Sequence, residues 1–450
     1  MKFSSLGLAP EIQQALDACG YVDMTPIQQQ AIVEARRGRD LLASAQTGTG
    51  KTAAFALPIL QQIQDRPYQV APCEVRALIL TPTRELAEQL SDTIKRYAQF
   101  LDLRITATYG GVKLSGQAKK LKAGVDLLIS TPGRLMEHIT QCNINLAKVE
   151  FVVLDEADRM LDMGFIADVE HLLQQLPEQR QTLLFSATLA GPVEQLAHKI
   201  LKRHISIKVA KHNATADTVE HVVFPVEERR KAELLIQLLH EHNWFHVLVF
   251  TSTRDQADQL QKALKSEKLD VAVCHGDKTQ GSRRRAIADF KSGKIQVLIA
   301  TEVAARGLDI QGLEQVVNFN LPYLAEDYVH RIGRTGRAGK SGEAISFVSR
   351  EEERALDNIE RLIGERIDRV SLPGFEVGNR ESLHKNLSKS ASSRRSNKSS
   401  KTRINRLAEA STSSRDALSN KAQPSNSHLK LKTKLKNIKG KTKKGRGKKK

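Results

Sequence analysis

The sequence predicts an α/β fold: two doubly wound parallel-sheet domains in tandem, followed by a disordered basic C-terminal tail. Three observations carry that prediction. Two stretches echo at a fixed offset of 170 residues, ALILTPTRELAEQL at 77–90 and VLVFTSTRDQADQL at 247–260, sharing seven of fourteen positions. Short apolar runs alternate with helix-like stretches through both halves. The basic excess of the chain is confined to its last segment.

The echo comes first because it organises the rest. At the same offset, Leu128-Ile129 and Thr131 match Leu298-Ile299 and Thr301. Each is an apolar run closed by a Thr, the form of a buried parallel strand ending in a polar loop. One such match would mean little; two at one offset indicate a duplicated domain. Apolar runs at 77–80, 127–129, 151–154 and 182–185 alternate with helix-like stretches such as 85–98 and 166–176. The alternation resumes at 247–250, 271–273, 296–299, 315–319 and 344–348. That pattern predicts parallel sheets with helices on both faces. Polar AKHNATADT (210–218) reads as a connection. The expected domains are therefore 1–209 and 220–376, with a linker at 210–219 and a tail at 377–450. Ligands of such sheets gather at the C-terminal strand ends.

The formal charge is +19, and 23 of the 70 Lys and Arg residues lie in 377–450 against three acidic ones. The rest of the chain is nearly neutral. A Ser-, Asn- and Lys-rich segment ending GKTKKGRGKKK cannot bury enough apolar surface to repay ordering, so disorder is expected. Its charge suits the phosphates of a nucleic acid; the plainer reading is a solubilising tail. No apolar run approaches the ~20 residues that cross a bilayer, and MKFSSLGLAPEIQQ lacks the apolar core of a signal peptide. Four cysteines without a C-x-x-C pair read as buried small residues in a reducing compartment. A cytoplasmic protein without a membrane partner is expected.

LLASAQTGTGKTAAF (41–55) nearly matches the phosphate loop G-x-x-x-x-G-K-[ST], with Ala45 at the first Gly. In such a loop, backbone N–H groups of Ala45, Gln46, Thr47, Gly48, Thr49 and Gly50 and the following helix N-terminus cradle phosphates. Lys51 reaches the β and γ phosphates, and Thr52 helps to hold Mg²⁺. Alone, the stretch could be a tight strand-to-helix turn. FVVLDEAD (151–158) narrows the choice, because an apolar strand ending in carboxylates follows the loop by about a hundred residues. Asp155 is the expected Mg²⁺ ligand and Glu156 the group that orients and deprotonates water. The second half has no phosphate loop, so one hydrolytic site is expected. The guanine-reading string N-K-x-D is absent. Gln28 in GYVDMTPIQ can pair with adenine through its amide, and Tyr21 and Phe3 are candidates to pack on or near the base.

Taken together these strings resemble the DEAD-box RNA helicases of superfamily 2 over about residues 1–375. The resemblance is carried by Phe3 with GYVDMTPIQ, AQTGTGKT (45–52), PTRELA (82–87), Gly110-Gly111, TPGR (131–134), DEAD (155–158), SAT (186–188), VFTSTR (249–254), ATEVAARGLDI (300–310) and HRIGRTGR (330–337). The N-terminal block and DEADRMLDMGF look most like the bacterial RhlE-type subgroup. In this family Ala is the usual residue at position 45. The resemblance implies tandem RecA-like domains with ATP between them. Asp309 would reach the ribose, and Arg334 and Arg337 would act as arginine fingers from the second domain. Ser186 and Thr188 would link hydrolysis to strand separation through the DEAD loop, with His330 joining across the cleft.

RNA would lie on backbone contacts from Pro82, Thr83, Arg84, Gly110, Gly111, Thr131, Gly133 and Arg134 in the first domain, and from Arg254, Gln280, Arg283 and Thr301 in the second. The echo aligns Thr83-Arg84 with Thr253-Arg254 and Thr131 with Thr301, so the same loops of both halves would grip successive phosphates. Such donors position a strand without reading its bases. Plainer readings are an ion pair at a helix start for Arg84 and a simple turn for the glycines. Glu302 departs from the family's usual Asp, keeping the charge but lengthening its arm. The expected activity is RNA-stimulated ATP hydrolysis that separates short duplexes or remodels ribonucleoprotein, compatible with ribosome assembly or RNA turnover. The rivals are an ATP-gated RNA clamp or annealing chaperone, and a DNA helicase. The oligomeric state stays open, since one chain could complete the site.

Overall fold

A computed structural model describes residues 1–45, 48–189, 191–209, 219–305, 310, 312–336 and 342–375. The expected linker up to Thr218 and the basic tail lie outside these residues. So do Gln46, Thr47, Asp309 and Arg337 of the expected site.

Among the described residues, fourteen strands form two seven-stranded parallel sheets. The first contains β1 (Leu41–Ser44), β2 (Val75–Leu80), β3 (Ile105–Thr108), β4 (Val125–Ser130), β5 (Phe151–Leu154), β6 (Gln181–Ser186) and β7 (Ile205–Lys208). The second contains β8 (Val219–Pro225), β9 (Val247–Thr251), β10 (Val271–Cys274), β11 (Val297–Thr301), β12 (Gln315–Asn318), β13 (Gly342–Val348) and β14 (Asp368–Arg369). Their spatial orders are β3-β4-β2-β5-β6-β1-β7 and β10-β11-β9-β12-β13-β8-β14. Each strand of the second sheet takes the place of the strand seven earlier, so the two sheets share one topology. The register agrees as well: Leu78 pairs with Leu128, and Leu248 with Leu298. The 170-residue echo is therefore a structural duplication. β8 takes in Val219, the last residue of the expected linker.

The central strands are buried on both faces, which is why their sequences run apolar without alternation. In β2, Ala77 and Ile79 pack into a core with helices Pro10–Ala18, Pro26–Arg36, Lys51–Asp65 and Arg84–Tyr97. Leu78 and Leu80 face the opposite core, under helices Pro132–Thr140, Ala157–Asp162, Ile166–Gln174 and Gly191–Ile200. β9 repeats the division, Val247 and Val249 to one side and Leu248 and Phe250 to the other. Helices Arg84–Tyr97 and Arg254–Ser266 both start at a threonine whose Oγ1 accepts a backbone N–H, from Leu86 at 3.3 Å and from Gln256 at 3.1 Å. Both run directly from the C-terminal ends of central strands.

Candidate nucleotide site and nucleic-acid interface

β1 delivers the phosphate loop against β6, where the Ala45 N–H donates to the Ser186 carbonyl at 3.0 Å. Gly50 has φ +95°, and a Cβ there would come within 2.3 Å of Gln28 Nε2, so only glycine fits. Both polar atoms of the Gln28 amide are anchored: Oε1 accepts the Thr25 N–H at 2.8 Å, and Nε2 donates to the Gly50 carbonyl at 3.1 Å. The expected adenine reader thus holds the loop's last turn, and one N–H and one lone pair of the amide stay uncommitted in these two bonds. Phe3 is buried edge-on against Tyr21, with ring centroids 5.7 Å apart. Tyr21 is half-buried and meets the Tyr97 hydroxyl at 3.0 Å. Of the two aromatics, Tyr21 is the one with exposed surface.

Lys51 opens helix Lys51–Asp65, is 7% exposed, and its Nζ makes no hydrogen bond. Asp155 ends β5, with its backbone N–H on the Leu80 carbonyl. Burial pushes its carboxyl up to about 6 against the pull of Lys51, and the Glu156 charge adds to the rise. Glu156 stands at φ +55°, a strained conformation that turns the chain sharply into helix Ala157–Asp162. A buried ammonium without a hydrogen-bond acceptor and a buried carboxyl whose pKa burial raises fit a triphosphate with its divalent cation. The second domain supplies an internal comparison. Following β8, helix Lys231–His242 also opens on a lysine. Lys231 is 0% exposed, and its ammonium is bound by Glu228 at 2.6 Å and Glu352 at 2.5 Å. Carboxylates of its own chain hold in one copy the kind of cation that Lys51 leaves open in the other.

The SAT segment closes on the DEAD loop. Asp158 Oδ2 accepts from the Ala187 and Thr188 N–H groups, each at 3.0 Å, and from Thr188 Oγ1 at 3.2 Å. Ser186 Oγ accepts the Asp158 N–H at 3.4 Å and donates to the Thr188 carbonyl at 2.6 Å. His330 meets the first domain at Arg159, and no described contact joins it to Ser186 or Thr188. Arg159 Nη2 donates to Asp327 Oδ1 at 2.7 Å and lies 3.3 Å from His330 Nδ1, both on helix Ala325–Ile332. Arg334 is buried just past that helix.

On the other flank, Arg84 lays its guanidinium over Gly110-Gly111, where a Cβ on Gly111 would fall 2.0 Å from Arg84 Nη1. Arg254 repeats the arrangement over Gly276 and pairs with Asp277 at 2.6 Å. No ion pair to Arg84 is found among the described residues; Gly110 leaves its guanidinium ordinary contact distance, and Gly111, at φ +79°, lies in the turn beneath it. Thr83 and Thr253 spend their hydroxyls on the caps. Pro82 and Thr131 are buried at the ends of β2 and β4, and Gly133 lies in the first turn of helix Pro132–Thr140. Arg134 is buried, with Nη2 donating to the Val112 carbonyl at 3.1 Å while Nε and Nη1 make no hydrogen bond. In the second domain a cleft of about 530 Å³ is lined by Ser252, Thr253, Arg254, Arg283, Thr301 and Val303.

Gln280 and Arg283 sit differently from the other expected RNA contacts. Both are buried and bond Glu85 of the first domain, Gln280 Nε2 at 3.1 Å and Arg283 Nη2 at 2.9 Å. Beside them, Arg284 grips Glu88 and the Tyr109 hydroxyl. Glu85, Arg159 and Asp327 were missed by the sequence reading. Glu85 lies within PTRELA and Arg159 adjoins DEAD, while Asp327 stands three residues before HRIGRTGR, and charge complementarity between distant strings shows only once the domains face one another. Among the described residues no three His, Cys, Asp or Glu side chains converge on a metal-ion geometry. No described helix is long and apolar enough to cross a membrane.

Comparison with known proteins accords with this geometry. Residues 25–196 match the DEAD/DEAH box helicase family, and residues 230–339 match the helicase conserved C-terminal domain. The chain is 39% identical to the DEAD-box ATP-dependent RNA helicase CshA of Bacillus cereus, over 83% of this chain and 70% of CshA. It is likewise 39% identical to the DEAD-box ATP-dependent RNA helicase RhpA of Helicobacter pylori, over 82% of this chain and 74% of RhpA. Among solved structures, S. cerevisiae Dbp5 bound to RNA and ADP BeF3 superposes with a TM-score of 0.73. That match is 31% identical and covers 86% of this chain and 99% of Dbp5.

Proposed function

Because the chain belongs to the DEAD-box family of ATP-dependent RNA helicases, we propose that ATP lies between its two RecA-like domains and RNA across the C-terminal ends of neighbouring strands, at the loops after β2, β4, β9 and β11. The protein is an ATP-dependent RNA helicase that uses ATP and binds RNA. What is proposed is how its own residues do this. Lys51, Gly48, Thr49 and Gly50 hold the phosphates, and Glu156 orients water for attack on the γ-phosphate and takes its proton. Arg334 stabilises the developing charge from the second domain, alongside Arg337. Such fingers are worth about 10³–10⁵ in rate, so hydrolysis waits for closure. Mg²⁺, held by Thr52 and Asp155, would neutralise phosphate charge when bound. Asp309 is assigned the ribose, and Gln28 the coupling of adenine to the loop it already holds.

The observation that carries this reading is Arg159 bonding Asp327 and His330 across the cleft, one residue beyond DEAD. On the RNA side, Arg84 and Arg254 sit over glycines at matched strand ends and offer donors to successive phosphates. Closure bends one strand and separates a short duplex, and hydrolysis with phosphate release resets the protein. We assign it to the cytoplasm and to ribosome precursors or other ribonucleoprotein, and nearest to the RhlE-type subgroup on the N-terminal block. The tail at 377–450 serves as a phosphate-neutralising arm, so its deletion weakens RNA binding and flattens the salt dependence.

The test is a displacement assay on short RNA duplexes with the wild type and Glu156→Gln. The variant is expected to trap ATP and RNA without multiple turnover. Displacement that proceeds without ATP would favour an annealing chaperone, and efficient opening of an all-DNA duplex would sink the RNA assignment.

A further inference from the structure

Two loops that line the groove of the second domain end on one buried arginine. Arg331 lies in helix Ala325–Ile332 and is 3% exposed. Its Nη1 donates to the Asn320 carbonyl at 2.7 Å and to Asn318 Oδ1 at 3.2 Å, and its guanidinium carbon lies 4.9 Å from the Phe250 ring centroid. Its Nε donates to the Glu302 carboxylate. Asn320 is tied in turn to the loop after β9, because its Oδ1 accepts the Ser252 N–H at 3.2 Å. Glu302 opens the short helix Glu302–Ala305 directly after β11, between the groove residues Thr301 and Val303.

Both groove loops are thus fastened to Arg331, one through Asn320 and the other through Glu302. The next residue back along the helix is His330, and Asp327 lies one turn before it. These are the two groups that meet Arg159 across the cleft. A buried, multiply bonded arginine transmits displacement because its partners cannot relax independently.

We propose that the Glu302–Arg331 pair is a positioning element that couples RNA in the second-domain groove to the cross-cleft face of helix Ala325–Ile332, and so to the hydrolytic site. In this role Glu302 acts through Arg331, to which its carboxylate is bonded. It sets where the helix stands when the groove loops are occupied. Its length matters, since the arm must span from the start of the short helix Glu302–Ala305 to Arg331. The inference rests on the reading that this groove holds RNA.

Coupling is a difference between rates, so it is measured as one. ATPase of the full-length wild type, Glu302→Gln and Glu302→Asp is recorded without RNA and with saturating single-stranded RNA. Melting temperatures are recorded in parallel. Glu302→Gln keeps the length and removes the charge; Glu302→Asp keeps the charge and shortens the arm. The rate without RNA is expected within about twofold of wild type for both. The stimulation by RNA should fall about tenfold in Glu302→Gln and by a smaller factor in Glu302→Asp, with little change in half-saturating RNA.

An unchanged stimulation factor in Glu302→Gln overturns the proposal, as does an equal loss of basal and stimulated rates. If Glu302→Gln melts below the assay temperature, Glu302→Asp decides on the same criterion. A wild type that RNA does not stimulate would remove the RNA-helicase reading and this inference with it. Stimulation in the wild type that persists in both variants removes only the inference.

Discussion

Arg159 and Asp327 lie 168 positions apart in sequence, yet their side chains meet at 2.7 Å with both residues buried. Arg159 is oriented for this by Asp162 on its own helix, at 3.0 Å. The pair bridges the two domains one residue beyond the DEAD carboxylates, so breaking it should act on closure and leave each domain intact. Truncating one partner of a buried interfacial pair costs about 2–5 kcal/mol. Arg159→Ala and Asp327→Asn should each lower RNA-stimulated kcat/KM by roughly 30-fold or more. The double variant should cost little beyond either single one, and additive losses would show that the two residues act separately.

Lys51 and Lys231 should respond in opposite ways to removal. Lys51 has no hydrogen bond to lose, so Lys51→Ala should leave the melting temperature of the nucleotide-free protein nearly unchanged. Its ATP affinity should drop on the order of 100-fold or more, as charge-assisted phosphate contacts are lost. Lys231→Met leaves Glu228 and Glu352 without their cation. It should destabilise the second domain by roughly 2–3 kcal/mol, below the usual ~3–5 for a buried pair because Glu228 is partly exposed. Urea melts and nucleotide titrations of both variants check the contrast.

Arg284 with Glu88 and Tyr109 forms a clasp between the domains on the RNA side. The arginine is more than half exposed, so its contribution is modest and weakened by salt. Arg284→Glu should raise the RNA concentration for half-maximal ATPase by about two- to fivefold at low ionic strength. Adding Glu88→Arg should restore it. A swap that restores nothing would mean that the clasp does not contribute to closure.

His138 is buried between Gln117, at 3.0 Å, and Asn143, at 3.3 Å. Burial, helped by the Arg134 charge, holds its pKa below the ordinary histidine value of about 6.5. The folded state therefore binds fewer protons than the unfolded state just below that value. Its share of stability is complete above pH ~6.5 and is lost as pH falls through the lowered folded value. The urea midpoint of wild type should decline between pH 7 and 5 more steeply than that of His138→Gln. Parallel profiles would show that another group governs the decline.

The sequence made the sheet interiors legible because buried parallel strands are written as plain apolar runs. The offset of 170 residues between Leu78 and Leu248, and between Leu128 and Leu298, even anticipated the strand register. β3, β7, β8 and β14 fall outside those runs: β7 and β14 are edge strands of four and two residues with mostly exposed side chains, β3 is an edge strand whose ITAT interrupts the apolar run, and β8 carries Glu220 and His221. In the site, the phosphate loop and the DEAD carboxylates announce themselves by local spacing. The partners of Gln280 and Arg283 do not, because a basic residue bonded to the other domain and one offered to a phosphate look alike in sequence. Gln28 shows the same ambiguity on a smaller scale, since an amide that can read a base can also cap a helix and hold a loop.

Two sheets with one strand order carry a lysine answered by its own chain in one and without a hydrogen-bond partner in the other. Two working copies could fire in turn and carry the protein forward along a strand. On the proposed reading that only the first lysine meets nucleotide, each closure would use one nucleotide and each reopening would release the grip that closure made. The gait would then be one of single strokes, the length opened per ATP bounded by the span of one grip, however long the RNA.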